Sequence, residues 1–381
     1  DVILTGPLPT PALPILITSL RADMGVMITA SHNTYEYNGL KFFDSKGDKI
    51  SKKLELEIEN IVSNHKKYLN IVNKNTKTGK ALRLKDAQAR YSEFLKLKLE
   101  KKINFNKIKV VLDCGNGATY NIAPTLFWEL GCSVIAINNQ PDGRNINLNC
   151  GAVNVKELSH KVLTTKADVG FAFDGDGDRL IVVDDKGNEI DGDKILALFT
   201  KNLLNKNKLT KKTVVATLMS NLGFENYLTK KLGVKLVRTN VGDINVINEM
   251  NKKSYSLGGE QSGHIILGEY TKTGDGILVA LKILEILRSS NLKTHTLFNN
   301  YNSFYQKKTN ILIKQQLNNK TKNSIKNISS KIQRKNPHLR YLIRESGTEP
   351  LIRILVEGKN KKEIKKESKI LLNQIEKIVN D

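Results

Sequence analysis

Asp174-Gly-Asp-Gly-Asp178-Arg179 follows the apolar run Phe171 to Phe173 and precedes a second one, Leu180 to Val183, so the stretch reads as strand, tight loop, strand. Three carboxylates at alternate positions can turn toward one point. The glycines between them permit the tight path, and the like charges repel unless a cation sits among them, which suits a hard divalent ion. An EF-hand does not fit: the sixth loop position is Arg179 rather than glycine, the twelfth is Asp185 rather than glutamate, and the flanks are strands. For this loop alone two other readings stay open. One is an ordinary acidic turn, and the other is a phosphatase site in which Asp174 attacks phosphate and Asp176 acts as acid.

Working outward, strand-like apolar runs alternate with amphipathic helical stretches, the βαβ signature of an α/β protein. Four modules can be drawn, at 1–86, 87–191, 192–298 and 299–381. The first carries Met24 to Ile28 as a buried strand leading into Thr29-Ala-Ser-His-Asn33. In the second lie a helix Ala87 to Leu99, strands Ile108 to Leu112, Ser133 to Ile137 and Val169 to Phe173, a turn at Asp113 to Gly117 and a helix ending at Leu130. The third opens with a helix near Gly192, repeats strand and helix from Val214 to Gly233, and closes on the helix Gly276 to Leu287. A polar linker near Asn299 to Ser303 leads to the fourth, with strands Thr309 to Ile313 and Tyr341 to Val356 around a tight turn and a helix Lys361 to Val379.

Each module holds one glycine-bearing loop richer in polar groups than a core needs. Ser31, at the end of its strand, can be a nucleophile or phosphate carrier, or a plain turn serine. A serine-hydrolase reading is weak, because neighbouring Ser31 and His32 point apart in extended chain and no G-x-S-x-G elbow is present. Gly258-Gly-Glu-Gln-Ser-Gly-His264 offers a carboxylate, an amide, a hydroxyl and an imidazole, suited to vicinal sugar hydroxyls or to a simple hairpin turn. Arg344-Glu-Ser-Gly-Thr348, with Arg353, offers two guanidinium groups, two hydroxyls and a glycine-rich run of N–H groups, suited to a phosphate dianion or to a plain turn.

Composition narrows the classes. With 381 residues, 39% apolar and 26% charged, the chain can bury several cores and is ordinary for a globular protein. The apolar runs are too short to cross a bilayer, and Ala12 to Leu20 lacks a preceding basic flank and is interrupted by Pro14, so it reads poorly as a signal peptide. Cys114, Cys132 and Cys150 form no C-x-x-C pair and read as small core residues in a cytoplasmic protein. The net charge of +23 raises nucleic-acid binding, but the lysines are interleaved with Asn and Glu rather than with stacking aromatics, which is the pattern of a solvated surface.

Read in order, Thr-Ala-Ser-His-Asn, Asp-Gly-Asp-Gly-Asp-Arg, Gly-Glu-Gln-Ser-Gly-His and Arg-x-Ser-Gly-Thr-Glu-Pro resemble the four signature loops of the α-D-phosphohexomutase superfamily. The resemblance covers the whole chain. It implies an α/β protein of four modules, three βα-type mixed-sheet domains plus a smaller α+β C-terminal domain, with the active site in the central cleft. Because Gly6-Pro-Leu-Pro-Thr10 appears almost at once, the first domain is expected to be incomplete at its N-terminus.

The implied activity is an isomerase that moves a phosphoryl group through a phosphorylated Ser31 and a bisphosphorylated sugar. Ser31 and Asp174, Asp176 and Asp178 would hold Mg2+; His32, Lys41 and Arg179 would surround the transferring group. Glu260 and Ser262 would hold sugar hydroxyls, and Arg344, Ser346, Gly347, Thr348 and Arg353 the phosphate that is not reacting. Asn145-Ile-Asn147, Cys150-Gly-Ala152, Gln261 and Ser346 to Gly358 are most similar to family members acting on glucosamine phosphate, the alternative being members acting on glucose or mannose phosphates. The partner implied is a phosphosugar, with no nucleic acid and no membrane, and a homodimer is left open. Thr34, where proline is usual, and Ile244, where arginine is usual, depart from the family pattern.

Overall fold

Buried on both faces, the strands Val169–Phe173 and Leu180–Asp184 form the centre of a five-stranded sheet. This computed structural model describes residues 1–72, 78–101, 103–313, 317–345 and 350–380. The sheet order is Ser133–Ile137, Lys109–Asp113, Val169–Phe173, Leu180–Asp184 and Glu189–Ile190, with the first three strands parallel and the last two pairings antiparallel. Cover on both sides explains why Val169–Phe173 and Leu180–Val183 read as unbroken apolar runs instead of alternating. On one face Leu158 and Val162 of the helix Lys156–Thr165 pack with Val111, Ala172 and Val183. Phe127, from the helix Ile122–Glu129, meets Phe171 with ring centroids 5.8 Å apart.

From Lys109–Asp113 the chain crosses over to one side of the sheet and then to the other, so the switch point lies between the carboxyl ends of Lys109–Asp113 and Val169–Phe173. That is where open α/β sheets place their ligands. Here it is where the Asp174 loop emerges, held against the preceding turn by the Ala118 N–H, which donates to the Gly175 carbonyl at 2.7 Å.

The chain divides into two compact units, Asp1–Thr217 with Val237–Asn300, and Leu218–Leu236 with Tyr301–Asp381. In the first, Thr213–Thr217 pairs in parallel with Leu257–Gly259, which turns back antiparallel to Ile265–Leu267 and so makes a second mixed sheet. The helix Gly276–Ser290 starts on an N-cap, the Asp275 carboxylate accepting from the Leu278 N–H at 2.9 Å.

Near the N-terminus, Met24–Ile28 pairs antiparallel with Leu40–Asp44, as a strand is expected to, but it is not buried. Met24, Val26 and Ile28 are 51%, 44% and 68% exposed. Its other face rests on the helix Ala12–Leu20, where a Cβ at residue 25 would lie 2.5 Å from the tip of Ile17, so glycine lets the two approach closely. A run of apolar residues marks a strand; whether both faces are covered depends on distant elements.

In the second unit, Leu351–Gly358 lies between Tyr305–Leu312 and Arg340–Glu345, antiparallel to both. Helices Asn319–Lys335 and Lys361–Asn380 complete its core, and Ile364, Leu371 and Ile375 of the latter fall at helical spacing on one buried face. Leu218–Leu236 belongs here because Glu357, fully buried, accepts from the Leu222 N–H at 2.9 Å and from Arg340, which also donates to the Ser220 carbonyl. The segment expected to be a polar linker is anchored too: Tyr301 is 9% exposed and stacks on Tyr227 at 5.8 Å. All three cysteines are buried and unpaired, as core residues should be.

Candidate active site

The three aspartates of the loop converge. One ligand oxygen from each of Asp174, Asp176 and Asp178 lies within 4.8 Å of the others, and all three residues are buried. The Oδ1 atoms of Asp176 and Asp178 are buried without a hydrogen-bond partner. Such atoms are costly unless something cationic reaches them, so the donor set fits a hard divalent ion.

Two hydroxyls and two basic side chains close around the carboxylates. Ser31 Oγ donates to Asp174 Oδ2 at 3.0 Å, and Thr10 Oγ1 donates to Asp176 Oδ2 at 2.6 Å. Lys41 Nζ reaches Asp176 Oδ2 at 2.6 Å and Asp178 Oδ2 at 2.9 Å, while Arg179 Nε stands 3.8 Å from Asp174 Oδ2. Lys41 arrives because Met27 and Lys41 are paired across the hairpin that ends in the Ser31 loop.

Electrostatics separates the carboxyls. Burial, reinforced by Asp178 and Asp176, pushes Asp174 well above the ordinary carboxylate range despite Arg179. For Asp178 burial also pushes upward, but Lys41, His264 and Arg179 outweigh it and hold the group below that range. Desolvation works against the Lys41 ammonium as well, yet Asp178 and Asp176 more than compensate and raise it. His32 is lowered, first by burial and then by Arg179, which favours its neutral imidazole.

The Glu260 loop is stitched directly onto this cluster. Leu180 N–H donates to the Gly263 carbonyl at 3.0 Å, and Arg179 and His264 form an antiparallel bridge. A side chain at 263 would strike the Leu180 carbonyl, at 2.3 Å, and its φ is +95°, so glycine is required on both counts. Glu260 accepts from the Gly242 N–H at 2.8 Å and from Ser262 Oγ at 3.3 Å. His264, 3% exposed, places Nε2 3.6 Å from Asp243 and 3.9 Å from Asp178.

In the second unit Arg344 and Arg353 are directly opposite partners on adjacent strands. Ser346, Gly347 and Thr348 lie outside the described residues.

The first unit thus brings together Ser31, Lys41, Arg179 and the aspartates, with His32 near enough to feel Arg179, Asp178 and Asp176. His264, read from the sequence as part of a sugar-hydroxyl loop, lies against the carboxylates instead, and two further residues touch the cluster without having been given a role from the sequence: Thr10 and Asn147. Thr10 and Asn147 meet partners 166 and 116 positions away, which no local pattern reveals.

Comparison with known proteins gives the arrangement a family. Descriptions of the phosphoglucomutase/phosphomannomutase alpha/beta/alpha domains I, II and III match residues 1–69, 89–187 and 191–304, and that of the C-terminal domain matches 312–373. A protein named phosphoglucosamine mutase from Thermodesulfovibrio yellowstonii is 46% identical over 383 aligned positions, covering 100% of this chain and 84% of that one. The chain belongs to the phosphoglucomutase/phosphomannomutase family. As a phosphohexomutase it is an isomerase working by phosphoryl transfer. A second phosphoglucosamine mutase, from Caldicellulosiruptor bescii, is 43% identical over 99% of this chain and 84% of its own length. Among solved structures, a phosphoglucomutase/phosphomannomutase family protein from Burkholderia thailandensis has the same phosphohexomutase fold, with a TM-score of 0.77 at 24% identity over 99% of this chain and 83% of that one. An Aspergillus fumigatus N-acetylphosphoglucosamine mutase, in complex with GlcNAc-6P and magnesium, shares the fold with a TM-score of 0.73 at 17% identity, over 97% of this chain and 92% of that one.

Proposed function

We propose that this phosphohexomutase interconverts glucosamine 6-phosphate and glucosamine 1-phosphate, using Ser31 as the phosphate carrier. One observation supports the carrier most: the Ser31 hydroxyl sits 3.0 Å from Asp174 at the edge of a carboxylate cluster flanked by Lys41 and Arg179. The substrate reading rests on relatives named phosphoglucosamine mutase at 41–46% identity. Glucose and mannose phosphates are the alternative substrates.

Asp174, Asp176 and Asp178, with the phosphate on Ser31, would hold Mg2+, which when bound would neutralise charge on the equatorial phosphoryl oxygens. The residues of the chain do the rest. Lys41 and Arg179 provide fixed positive charge beside the transferring group. The Ser31 Oγ–P bond breaks as a sugar hydroxyl oxygen bonds to phosphorus, and the hydroxyl proton passes to the His32 imidazole, whose Nδ1 is buried without a hydrogen-bond partner. The resulting bisphosphate turns around and returns its other phosphoryl group to Ser31, so each phosphate must fit both subsites. Glu260 and Ser262 grip sugar hydroxyls, and Arg344 and Arg353, with Ser346, Gly347 and Thr348, hold the distal phosphate. Arg344 and Arg353 are opposite one another in the ladder, and guanidinium groups suit paired contacts to phosphate oxygens.

An Asp174 nucleophile is disfavoured by its complete burial behind the Ser31 hydroxyl. Incubation with Mg2+, glucosamine 6-phosphate and a trace of sugar bisphosphate should yield the 1-phosphate, faster than glucose or mannose phosphates react, and Ser31→Ala should abolish it. Phosphate found on Asp174 instead of Ser31 by mass spectrometry would overturn the mechanism.

A further inference from the structure

Ser31 carries an unfavourable backbone conformation, and a residue from another domain holds it there. Its φ is +54°, the left-handed region in which a serine is strained by roughly 1–2 kcal/mol. Both of its main-chain polar groups are taken by side chains. The Ser31 N–H donates to Thr29 Oγ1 at 2.8 Å, and its carbonyl accepts from Asn147 Nδ2 at 2.9 Å. The same Nδ2 donates to the Asn33 carbonyl at 2.8 Å, so one amide group spans both sides of the His32 turn.

Asn147 is itself fixed from below. It is 3% exposed, its N–H donates to the Gly115 carbonyl at 2.9 Å, and its φ of +55° is one that asparagine tolerates. Asp113, fully buried at the end of its strand, accepts from the N–H groups of Gly115 at 3.0 Å and Gly151 at 2.9 Å, pinning the turn on which Asn147 rests and the far end of the loop that presents it. The sheet therefore reaches the serine through a short, wholly hydrogen-bonded path.

We infer that Asn147 is a positioning residue for phosphoryl transfer: its amide holds the Ser31–Asn33 turn so that Ser31 Oγ points at Asp174. The inference rests on Ser31 being the phosphate carrier. It assigns Asn147 no contact with substrate, so its loss should act on the transfer step and spare binding. Misplacing a reacting atom by about 1 Å costs on the order of 100-fold in rate.

Asn147→Asp keeps the size and the left-handed tolerance of the side chain but replaces both donated bonds with acceptor–acceptor contacts. Asn147→Gly keeps the backbone freedom and removes the side chain, so it covers the case in which the aspartate disturbs folding. In the full chain, both variants should lower kcat about 10- to 100-fold with KM changed less than about threefold. Transfer of labelled phosphate from phosphorylated enzyme to sugar in a single turnover should fall in parallel. Single-turnover transfer within about twofold of wild type in either folded variant would overturn the inference, as would a rise in KM with kcat unchanged. Locating the label on wild-type enzyme separates the two ideas. Label on Ser31 with unaffected variants defeats the role of Asn147 alone, whereas label elsewhere defeats the carrier assignment and this inference with it.

Discussion

Lys41 places its ammonium 2.6 Å from the Asp176 carboxylate, in the same cluster that is suited to a divalent ion. In metal-free protein this side chain is therefore a main counter-charge to Asp176 and Asp178. Removing one partner of a buried pair strands the other, at a cost of about 3–5 kcal/mol when both are fully buried. Lys41 keeps 22% of its side-chain surface exposed, so a smaller loss is expected, about 1–3 kcal/mol for Lys41→Met in chelator. Saturating Mg2+ should erase much of that deficit, because a second cation then serves the same oxygens. Urea melts with and without Mg2+ give the comparison, and an equal loss in both would mean that Lys41 and the ion do not share a role.

Asp174 is expected to respond in the opposite direction. Its carboxyl is pushed up by burial and by its two aspartate neighbours, so ionising it in metal-free protein opposes folding. Asp174→Asn should abolish Mg2+-dependent activity while leaving metal-free stability unchanged or higher at pH 7. Calorimetric Mg2+ titration alongside thermal melts measures both; a variant that binds Mg2+ like wild type would remove Asp174 from the ligand set.

A pH effect should arise away from the cluster. Asp275 caps the helix Gly276–Ser290, receives the buried Tyr91 hydroxyl at 2.8 Å, and is pushed up by burial from 3.8 to about 6. A carboxyl raised in the folded state contributes stability that is fully present below its unfolded pKa and is lost as pH rises through the folded value. Between pH 4 and 7 the wild type should therefore lose on the order of 2–3 kcal/mol more than Asp275→Asn, in which the amide keeps the cap without the charge. Parallel stability profiles for the two proteins would show that this group does not titrate as its burial dictates.

Arg344 and Arg353 face one another on adjacent strands. Replacing either with glutamine should raise KM for the phosphosugar about tenfold or more, since each charge-assisted contact to phosphate is worth about 1.5–3 kcal/mol. Stability should change by less than about 1 kcal/mol, because a repulsion is removed together with any bonds. A large fall in stability with KM unchanged would make the pair structural.

Much of the fold was legible because it is written in continuous runs. Val169–Phe173 and Leu180–Val183 are apolar throughout, since both faces are covered, and their ends flank a loop whose three carboxylates announce a cation site. Met24–Ile28 has the same look and is half bare, because composition cannot tell which faces later elements will cover. Thr10 and Asn147 escaped for a related reason: an isolated threonine or asparagine carries no period, and what makes it functional is a partner supplied by the tertiary fold. The left-handed Ser31 was likewise invisible, since a glycine or an Asn-Gly pair would have signalled it and the sequence has Ala30-Ser31-His32.

Gly175 ties these features together and offers a sharp test. A Cβ at this position would lie 2.7 Å from Asn147 Nδ2, 2.7 Å from the Ser31 carbonyl oxygen and 2.8 Å from Ile146. The backbone at Gly175 is not left-handed, unlike that at Gly177, whose φ is +69°, so the requirement for glycine here is one of space and not of dihedral angle. The metal-loop backbone, the Asn147 amide and the Ser31 turn are in contact at one point, and an added methyl group must push at least one of them away. Overpacking a close contact costs about 1–3 kcal/mol, and Gly175→Ala should destabilise by that amount. Its kinetic effect should be larger, on the order of 100-fold in kcat, because two of the atoms it would strike, Asn147 Nδ2 and the Ser31 carbonyl oxygen, form the hydrogen bond that aims Ser31. Gly187→Ala is a useful companion, as that glycine lies in the turn between Leu180–Asp184 and Glu189–Ile190 with φ +77° and close to Leu163, well along the chain from Ser31. It should lose comparable stability yet keep kcat within a few-fold of wild type. If both variants lose activity only in proportion to lost folded protein, the three-way contact at Gly175 is packing alone and does not aim the serine.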